Sequence, residues 1–306
     1  KDERWGQFWS VGGSWLLSSE DFIKPYKWIN ELKVKASYGT QGNDRLYKLT
    51  DKRAVSPWAT QYSVKPAGNG TALEEYHVGN KTLTWEKSKA FNAGIEFSVL
   101  NNRLSGSIEY YNKSMTDMLF NRKVPNSAGY KAYPDNIGNM TDQGIDIELS
   151  ATAYRSKDWT WNIYLNASHI SNEITKLPSE NSISGVDAGL FWYQEGQSRY
   201  DYFLRDYAGV NDQGQSVWYK NIVEKDADGK EVVVGKELTS DYNAATRYYQ
   251  GCALPTFYGG LGTSVRWRDI DFSLHTAYSI GGTGYDYNYR MLMHSGKKGE
   301  AWHKDI

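Results

Sequence analysis

The sequence contains few of the residues on which disulfide, metal and catalytic centres depend. Cys252 is the single cysteine among 306 residues, so no intramolecular disulfide can form, and no Cys/His spacing for zinc is present. The histidines are scattered without an HExxH pair, and no G-x-S-x-G elbow or strand-to-helix glycine loop for phosphate occurs. We therefore expect no enzyme activity, no cofactor and no metal.

Charge and hydrophobic runs exclude two further classes of protein. With 35 basic and 36 acidic residues the net charge is −1, so no nucleic-acid partner is expected, because such binding needs a basic face. No run of 18 apolar residues occurs, which excludes a transmembrane helix. The first residues, KDERWGQFWS, do not form a signal peptide. We expect either a protein that is not exported or an internal piece of a longer chain.

Aromatic residues and alternating patterns are abundant, with 24 Tyr, 12 Trp and 9 Phe. In FNAGIEFSVLNNRLSGSIEYY (91–111), apolar and polar side chains alternate on both sides of Asn101-Asn102. This pattern predicts a β-hairpin with a two-residue turn, because strand side chains change face at every residue. The same alternation recurs in stretches 9–17, 32–39, 144–153, 159–168, 257–267 and 270–280. The fold class is therefore all-β and antiparallel.

The connections between these strands alternate in length. Short ones fall at 101–102, 155–158 and 268–269, and long ones at about 41–85, 114–142 and 172–255. Short periplasmic turns and long extracellular loops are typical of an outer-membrane β-barrel. Mean hydropathy does not reveal such a barrel, because every second residue of its strands faces a polar interior. Tryptophans on the apolar face near strand ends would form its interfacial girdles: Trp9, Trp15, Trp159, Trp161 and Trp267. A soluble β-sandwich with these rings in its core is the alternative.

Six blocks of the sequence resemble, in the same order, the SusC/RagA family of TonB-dependent outer-membrane transporters. They are FWSVGGSWLLSSEDF, LKVKASYGTQGN, LTWEKSKAFNAGIEFSVLNNRLSGSIEYYNKSMTDMLF, NIGNMTDQGIDIELS, EGQSRYDYFLRDYAGV and ALPTFYGGLGTSVRWRDIDFSLHTAYSIGGTGYDY. The resemblance implies a transmembrane β-barrel of 22 antiparallel strands in the bacterial outer membrane, around an N-terminal plug domain. It also implies TonB-energised import of oligosaccharides or peptides, with a SusD-like surface lipoprotein as lid.

Only part of that architecture is expected here. The chain contains no plug domain and no TonB box, and it stops before the strands that would close a barrel. Residues 1–306 are therefore expected to be the C-terminal barrel portion, with about eight to ten strands, the last two of them within 114–123 and 200–220. TonB would act through the missing plug, and membrane lipid would cover the apolar face.

Two sets of side chains are candidates for contact with a ligand or with water. Aromatic residues in the long connections suit sugar rings, which present C–H faces and hydroxyl edges, and they suit peptides as well: Trp58, Tyr62, Tyr130, Tyr133, Trp192, Tyr193, Trp218 and Tyr219. Polar-face residues are expected to line a wet lumen: Lys33, Lys35, Glu96, Glu109, Asp146, Glu148, Arg266, Asp271 and His275.

Two alternatives stay open for these residues and for the function. The loop rings could instead pack the loops together or contact the lid. EKDADGKE (224–231) echoes a calcium loop but lacks its later glutamate, so a solvated turn is predicted. The functional alternative is a soluble extracellular carbohydrate-binding β-sandwich or glycoside hydrolase.

Overall fold

The computed structural model describes residues 5–43, 56, 58–124, 127, 130, 132–178, 182–293 and 299–304. Regular structure is β-strand apart from a 3-10 turn at Leu17–Ser19 and a short helix, α1, at Tyr287–Leu292. Among the described residues, no helix has the length and apolar character needed to cross a membrane.

The strands follow one another along the chain with few helical interruptions. They are β1 (Ser10–Leu16), β2 (Ile29–Asn43), β3 (Gln61–Ala67), β4 (Gly70–His77), β5 (Glu86–Val99), β6 (Leu104–Thr116), β7 (Leu119–Lys123), β8 (Ala132–Asn136), β9 (Asn139–Arg155), β10 (Trp159–Lys176), β11 (Val186–Ala188), β12 (Phe191–Tyr193), β13 (Asp201–Arg205), β14 (Tyr207–Val210), β15 (Ser216–Lys225), β16 (Glu231–Thr239), β17 (Arg247–Cys252), β18 (Phe257–Trp267) and β19 (Ile270–Ile280). The chain divides into two compact units, the first of residues 1–199 and 256–279, the second of residues 200–255 and 280–306.

The first unit is built on an eight-stranded antiparallel sheet in the order β1-β2-β5-β6-β9-β10-β18-β19. Each of these strands pairs with the next of the eight along the chain, so the sheet is an up-and-down meander. The register aligns apolar side chains across it: Val34 pairs with Ile95, Ile95 with Ile108, and Ile108 with Ile147. The all-β antiparallel prediction is confirmed.

One face of this sheet is apolar and open. Ile95 is 45% exposed, Ile108 44%, Phe272 59% and Leu274 51%. The tryptophans predicted at strand ends are exposed as well: Trp9, Trp15, Trp159, Trp161 and Trp267. In a sandwich these side chains would be buried against a second sheet, and none of the described residues covers them in that way. The sandwich alternative is therefore wrong for this sheet, and the alternation of faces is that of a barrel wall.

A small hydrophobic core lies on the opposite face, where the long connections meet the ends of β9 and β10. Met140 and Ile174 pair across these two strands. Their buried neighbours come from the connections: Leu83, Met118, Leu119 and Leu177. Asn136 fixes this region, because its Nδ2 donates to the carbonyls of Thr84 and Asp117 while its Oδ1 accepts from the Thr84 amide.

The long connections contain strands of their own. In the first unit β3 pairs with β4, β7 with β8, and β11 with β12. In the second unit β13 pairs with β17, and β14, β15 and β16 form a three-stranded sheet. Within the ranges 114–123 and 200–220 the structure has β7, β13 and β14, and these strands lie outside the eight-stranded sheet.

The connection between β5 and β6 is longer than predicted. Val99 pairs with Leu104, so residues 100–103 leave the ladder. Leu100, Asn101 and Asn102 all have positive φ, at 57°, 57° and 61°. The Arg103 amide donates to the Leu100 carbonyl at 3.2 Å, so Asn101 and Asn102 are the two central residues of a tight turn, as predicted. The ladder ends one residue earlier on each side, where Leu100 also has positive φ.

Candidate functional site

The polar face of the eight-stranded sheet carries a network of charged side chains on adjacent strands. Lys33 Nζ donates to Glu96 Oε2 at 3.0 Å, and Lys35 Nζ lies 2.8 Å from Glu96 Oε1. Lys35 also pairs with Glu109. The register produces this network, because Lys33 is the direct partner of Glu96 on the neighbouring strand. The structure therefore brings together four of the residues predicted to face water.

A shallow cleft of about 510 Å³ continues along the same face. Its polar lining includes Glu96, Ser107, Glu148, Ser150, Tyr164 and Asn166. Arg266 and Asp271 form a further ion pair on β18 and β19, with Nε 2.7 Å from Oδ1. The hydroxyl, amide and paired charged groups of this face can form hydrogen bonds with water or with a polar solute.

The predicted loop aromatics of the first unit lie on separate hairpins. The rings of Tyr130 and Tyr133 meet edge to face with centroids 6.2 Å apart, and Arg122 Nη1 donates to Tyr133 Oη at 3.2 Å. Trp192 and Tyr193 are neighbours on β12 and therefore face opposite sides of that strand. A contact between two predicted rings is thus seen for Tyr130 and Tyr133.

Trp58 and Tyr62 lie at the beginning of the β3–β4 hairpin. Tyr62 is the second residue of β3, where it pairs with Glu75 and keeps an exposed ring. Trp58 lies just before the strand and is partly buried. These two residues share a segment, and no contact between them is observed.

Trp218 and Tyr219 are neighbours on β15 of the second unit and therefore face opposite sides of its sheet. The Trp218 ring lies 6.1 Å from that of Tyr207 and 5.3 Å from that of Tyr242. On the other side, Lys236 Nζ lies 5.6 Å from the centroid of the Tyr219 ring. Both predicted residues are thus part of larger clusters.

Several residues of these clusters were not predicted from the sequence. Arg205 stacks on Tyr242, with Cζ 4.1 Å from the ring centroid, and Lys236 lies 4.3 Å from the ring of Tyr248. The alternation around 207–210 could have indicated Tyr207. Arg205 and Tyr242 come from segments far apart in the chain, and nothing in the sequence pairs them.

Tyr249 is a titratable group of the second unit with a displaced pKa. Its ring packs on Phe203 with centroids 4.9 Å apart. Burial raises the pKa of the Tyr249 phenol, and the negative charge of Asp201 raises it further. The phenol is therefore neutral across the physiological pH range.

The EKDADGKE segment is the turn between β15 and β16. Asp226 Oδ1 accepts hydrogen bonds from the amides of Asp228 and Lys230, both at 2.9 Å. Gly229 supplies the positive φ, at 77°. The Asp226 carboxylate therefore stabilises the turn. Among the described residues, no group of three or more potential metal ligands is found.

Comparison with known proteins gives matches along the whole chain. Residues 1–291 match the family model described as TonB dependent receptor-like, beta-barrel. TonB-dependent receptor P3 of Formosa agariphila is 26% identical over 95% of this chain, which corresponds to 30% of that protein. TonB-dependent receptor SusC of Bacteroides thetaiotaomicron is 30% identical over 62% of this chain and 19% of its own length.

Solved structures give the same result. The RagAB peptide transporter aligns with 100% of this chain at a TM-score of 0.77 and 26% identity, covering 34% of that chain. The present chain thus spans about a third or less of the length of the proteins it matches. The match to residues 1–291, together with the antiparallel meander, shows that the chain belongs to the TonB-dependent receptor β-barrel family.

Proposed function

We propose that this chain forms part of the barrel wall and the surface loops of a TonB-dependent outer-membrane transporter of the SusC/RagA type, which imports oligosaccharides. The observation that supports this proposal is a sheet with one open apolar face and one open polar face. Ile95 and Ile108 lie on one face, and the Lys33–Glu96–Lys35 network lies on the other. A barrel wall between lipid and a hydrated interior accounts for both.

In this proposal the long connections lie on the extracellular side and catch the ligand together with a SusD-like surface lipoprotein. TonB acts on the plug domain of the full-length protein and opens a path along the polar face. The rings of the connections supply flat apolar surfaces for sugar rings. Membership of a receptor family supports a role without catalysis.

A second ligand class is peptide. Two structural neighbours are described as the RagAB peptide importer and the RagAB peptide transporter, at 28% and 26% identity. Tyrosine and tryptophan rings also accept apolar peptide side chains. The sugar proposal is therefore tested directly against peptides.

The test uses the full-length gene in its source bacterium. A deletion strain is grown with defined oligosaccharides or with peptides as the sole nutrient, and a monosaccharide serves as control. We expect the deletion to abolish growth on one or more oligosaccharides and to spare growth on the monosaccharide. Complementation restores growth only when the TonB box is intact. Normal oligosaccharide uptake in the deletion strain, or loss of peptide uptake alone, would contradict the proposal.

A further inference from the structure

Four side chains of the second unit form a continuous row, Tyr207–Trp218–Tyr242–Arg205, here called the ring row. The centroids of Tyr207 and Trp218 are 6.1 Å apart, and those of Trp218 and Tyr242 are 5.3 Å apart. The guanidinium of Arg205 follows, with Cζ 4.1 Å from the centroid of the Tyr242 ring. The ring planes are tilted by 59° and 77° to one another, so the three rings and the cation form one contiguous cluster whose faces point in different directions.

The backbone of the three-stranded sheet fixes the spacing of the ring row. Tyr207 on β14 is the direct cross-strand partner of Trp218 on β15. Thr239 on β16 is the other partner of Trp218, and its Oγ1 accepts a hydrogen bond from the Asp241 amide at 3.1 Å. This turn holds Tyr242 beside the strand end, so the row does not depend on flexible side chains alone.

The rings at both ends of this aromatic group are open. Tyr207 is 54% exposed and Tyr242 is 52% exposed, whereas the neighbouring Val217 is buried. If the three rings served only to pack the sheet, we would expect their surfaces to be covered by the rest of the unit. Half-open tyrosines on either side of an anchored tryptophan instead offer ring faces to a ligand.

Arg205 carries a charge that the described residues do not neutralise. It forms no ion pair with any described carboxylate, and its Nε is buried without an acceptor. A guanidinium stacked on a ring keeps the in-plane N–H donors of its two Nη groups at the edge, where they match a carboxylate bidentately. An unpaired planar cation beside aromatic faces is suited to an anionic group attached to a ring-shaped ligand.

We propose that the ring row binds an acidic sugar, with uronate rings stacked on the aromatic faces and a uronate carboxylate paired with Arg205. This inference rests on the proposed function and narrows its substrate to an acidic oligosaccharide. A charge-assisted hydrogen bond is about twice as strong as a neutral one, which is the reason to expect a carboxylate rather than a hydroxyl at Arg205.

The experiment measures binding to the purified full-length transporter in detergent by titration calorimetry. The probes are oligosaccharides of galacturonate, glucuronate and mannuronate, each compared with its carboxyl-reduced neutral counterpart. We expect at least one acidic probe to bind about 10–100-fold more tightly than its neutral counterpart. Arg205→Gln should remove that difference, and Arg205→Lys should restore part of it, because lysine keeps the charge without the planar fork.

Two further variants separate the ring row from general effects on the fold. Trp218→Ala should weaken the acidic and neutral probes by a similar factor, since it removes stacking and leaves the cation. Lys225→Gln, at the turn end of β15 in the same sheet, should leave binding unchanged. Each variant is first required to show wild-type resistance to trypsin, so that a folding defect is recognised.

Equal affinity for acidic and neutral probes, or an unchanged preference in the Arg205→Gln variant, would overturn the proposal. Tight binding of peptides that depends on Arg205 would overturn it as well. Such failures leave the transport proposal standing if the deletion strain still loses oligosaccharide uptake. If uptake is normal in that strain, the transport proposal fails by itself, whatever the calorimetry shows.

Discussion

At the scale of single residues, Ile108 and Ser107 are neighbours in the chain that face different surroundings. Ile108 is aligned with Ile95 and Ile147 on the apolar face, whereas Ser107 pairs with Glu96 and Glu148 on the polar face. Arginine on a lipid-facing strand position near the bilayer centre costs about 2–4 kcal/mol. We expect Ile108→Arg to lower the free energy of unfolding of the full-length protein in vesicles by that amount.

The matched control for this prediction is Ser107→Arg, which places the same side chain beside two carboxylates and should change stability by less than about 0.5 kcal/mol. Denaturant titrations that follow tryptophan fluorescence give both values. Equal costs at the two positions, or a larger cost at Ser107, would show that the faces have been assigned wrongly.

Asn172 is a buried polar residue that the alternation pattern could not single out. It is 6% exposed, and its Nδ2 donates to Asp142 Oδ1 at 2.5 Å. Its Oδ1 accepts from Ser198 Oγ at 3.1 Å and from the Arg199 amide at 2.9 Å. One side chain thus ties the end of β10 to the segment after β12.

Asn172→Ala should destabilise this tether by about 1–3 kcal/mol, because buried donors and acceptors lose their partners. Hydrogen exchange at the Arg199 amide should accelerate by about 10–100-fold if that amide opens locally. Asn92→Ala is the control, since among the described residues the Asn92 side chain forms a single, exposed hydrogen bond, to Ser37 Oγ at 3.3 Å. Unchanged exchange at Arg199 in the Asn172 variant would refute the tether.

At the scale of elements, the β5–β6 connection depends on residues that tolerate positive φ. Asn102 has φ of 61°, and its Oδ1 accepts from Ser98 Oγ at 2.8 Å. Asn102→Ala should cost about 1–2 kcal/mol, since alanine resists the left-handed region and cannot accept the hydrogen bond.

Asn102→Gly separates these two causes. Glycine accepts the positive φ freely, so this variant loses only the hydrogen bond and should be destabilised by less than the alanine variant. Thermal unfolding of the two full-length variants, followed by gel mobility, gives the comparison. A glycine variant as unstable as the alanine variant would assign the whole effect to the bond with Ser98.

Elements differed in how well the sequence could predict them. Most strands of the eight-stranded sheet repeat an alternating pattern over ten or more residues. The positions of β5, β6, β9 and β10, and the face on which each of their side chains lies, could therefore be predicted. Short strands such as β11 and β12 have three residues each, too few for a pattern to be recognised. Their pairing is set by contacts within the folded connection, which the sequence does not display.

At the scale of the whole molecule, the same limit applies to the candidate site. The polar network was predictable because register converts strand alternation into neighbours, as for Lys33 and Glu96. The ring row was only half predictable: Trp218 is visible as a loop aromatic, but its contacts with Tyr207 and Tyr242 follow from three-dimensional packing. Residues that meet across long connections need the structure.

The assignment of lipid and water to the two faces of the sheet is a property of the full-length protein in its membrane. Single cysteines are introduced at neighbouring positions, Ile95→Cys, Glu96→Cys, Ser107→Cys and Ile108→Cys, in a background without native cysteine, so Cys252 is replaced by serine. Each is labelled with an environment-sensitive fluorophore, and the protein is placed in vesicles with or without brominated lipid. Alternation along β5 and β6 requires the label to change surroundings at every residue.

We expect brominated lipid to quench the label strongly at positions 95 and 108 and weakly at positions 96 and 107. Water-soluble iodide should give the reverse order, because the polar face lies against a hydrated interior. A soluble sandwich would shield positions 95 and 108 from both quenchers, and equal quenching at neighbouring positions would contradict the two-residue period of the strands. Either result would show that the exposed apolar face does not contact lipid. The chain would then not form part of a barrel wall.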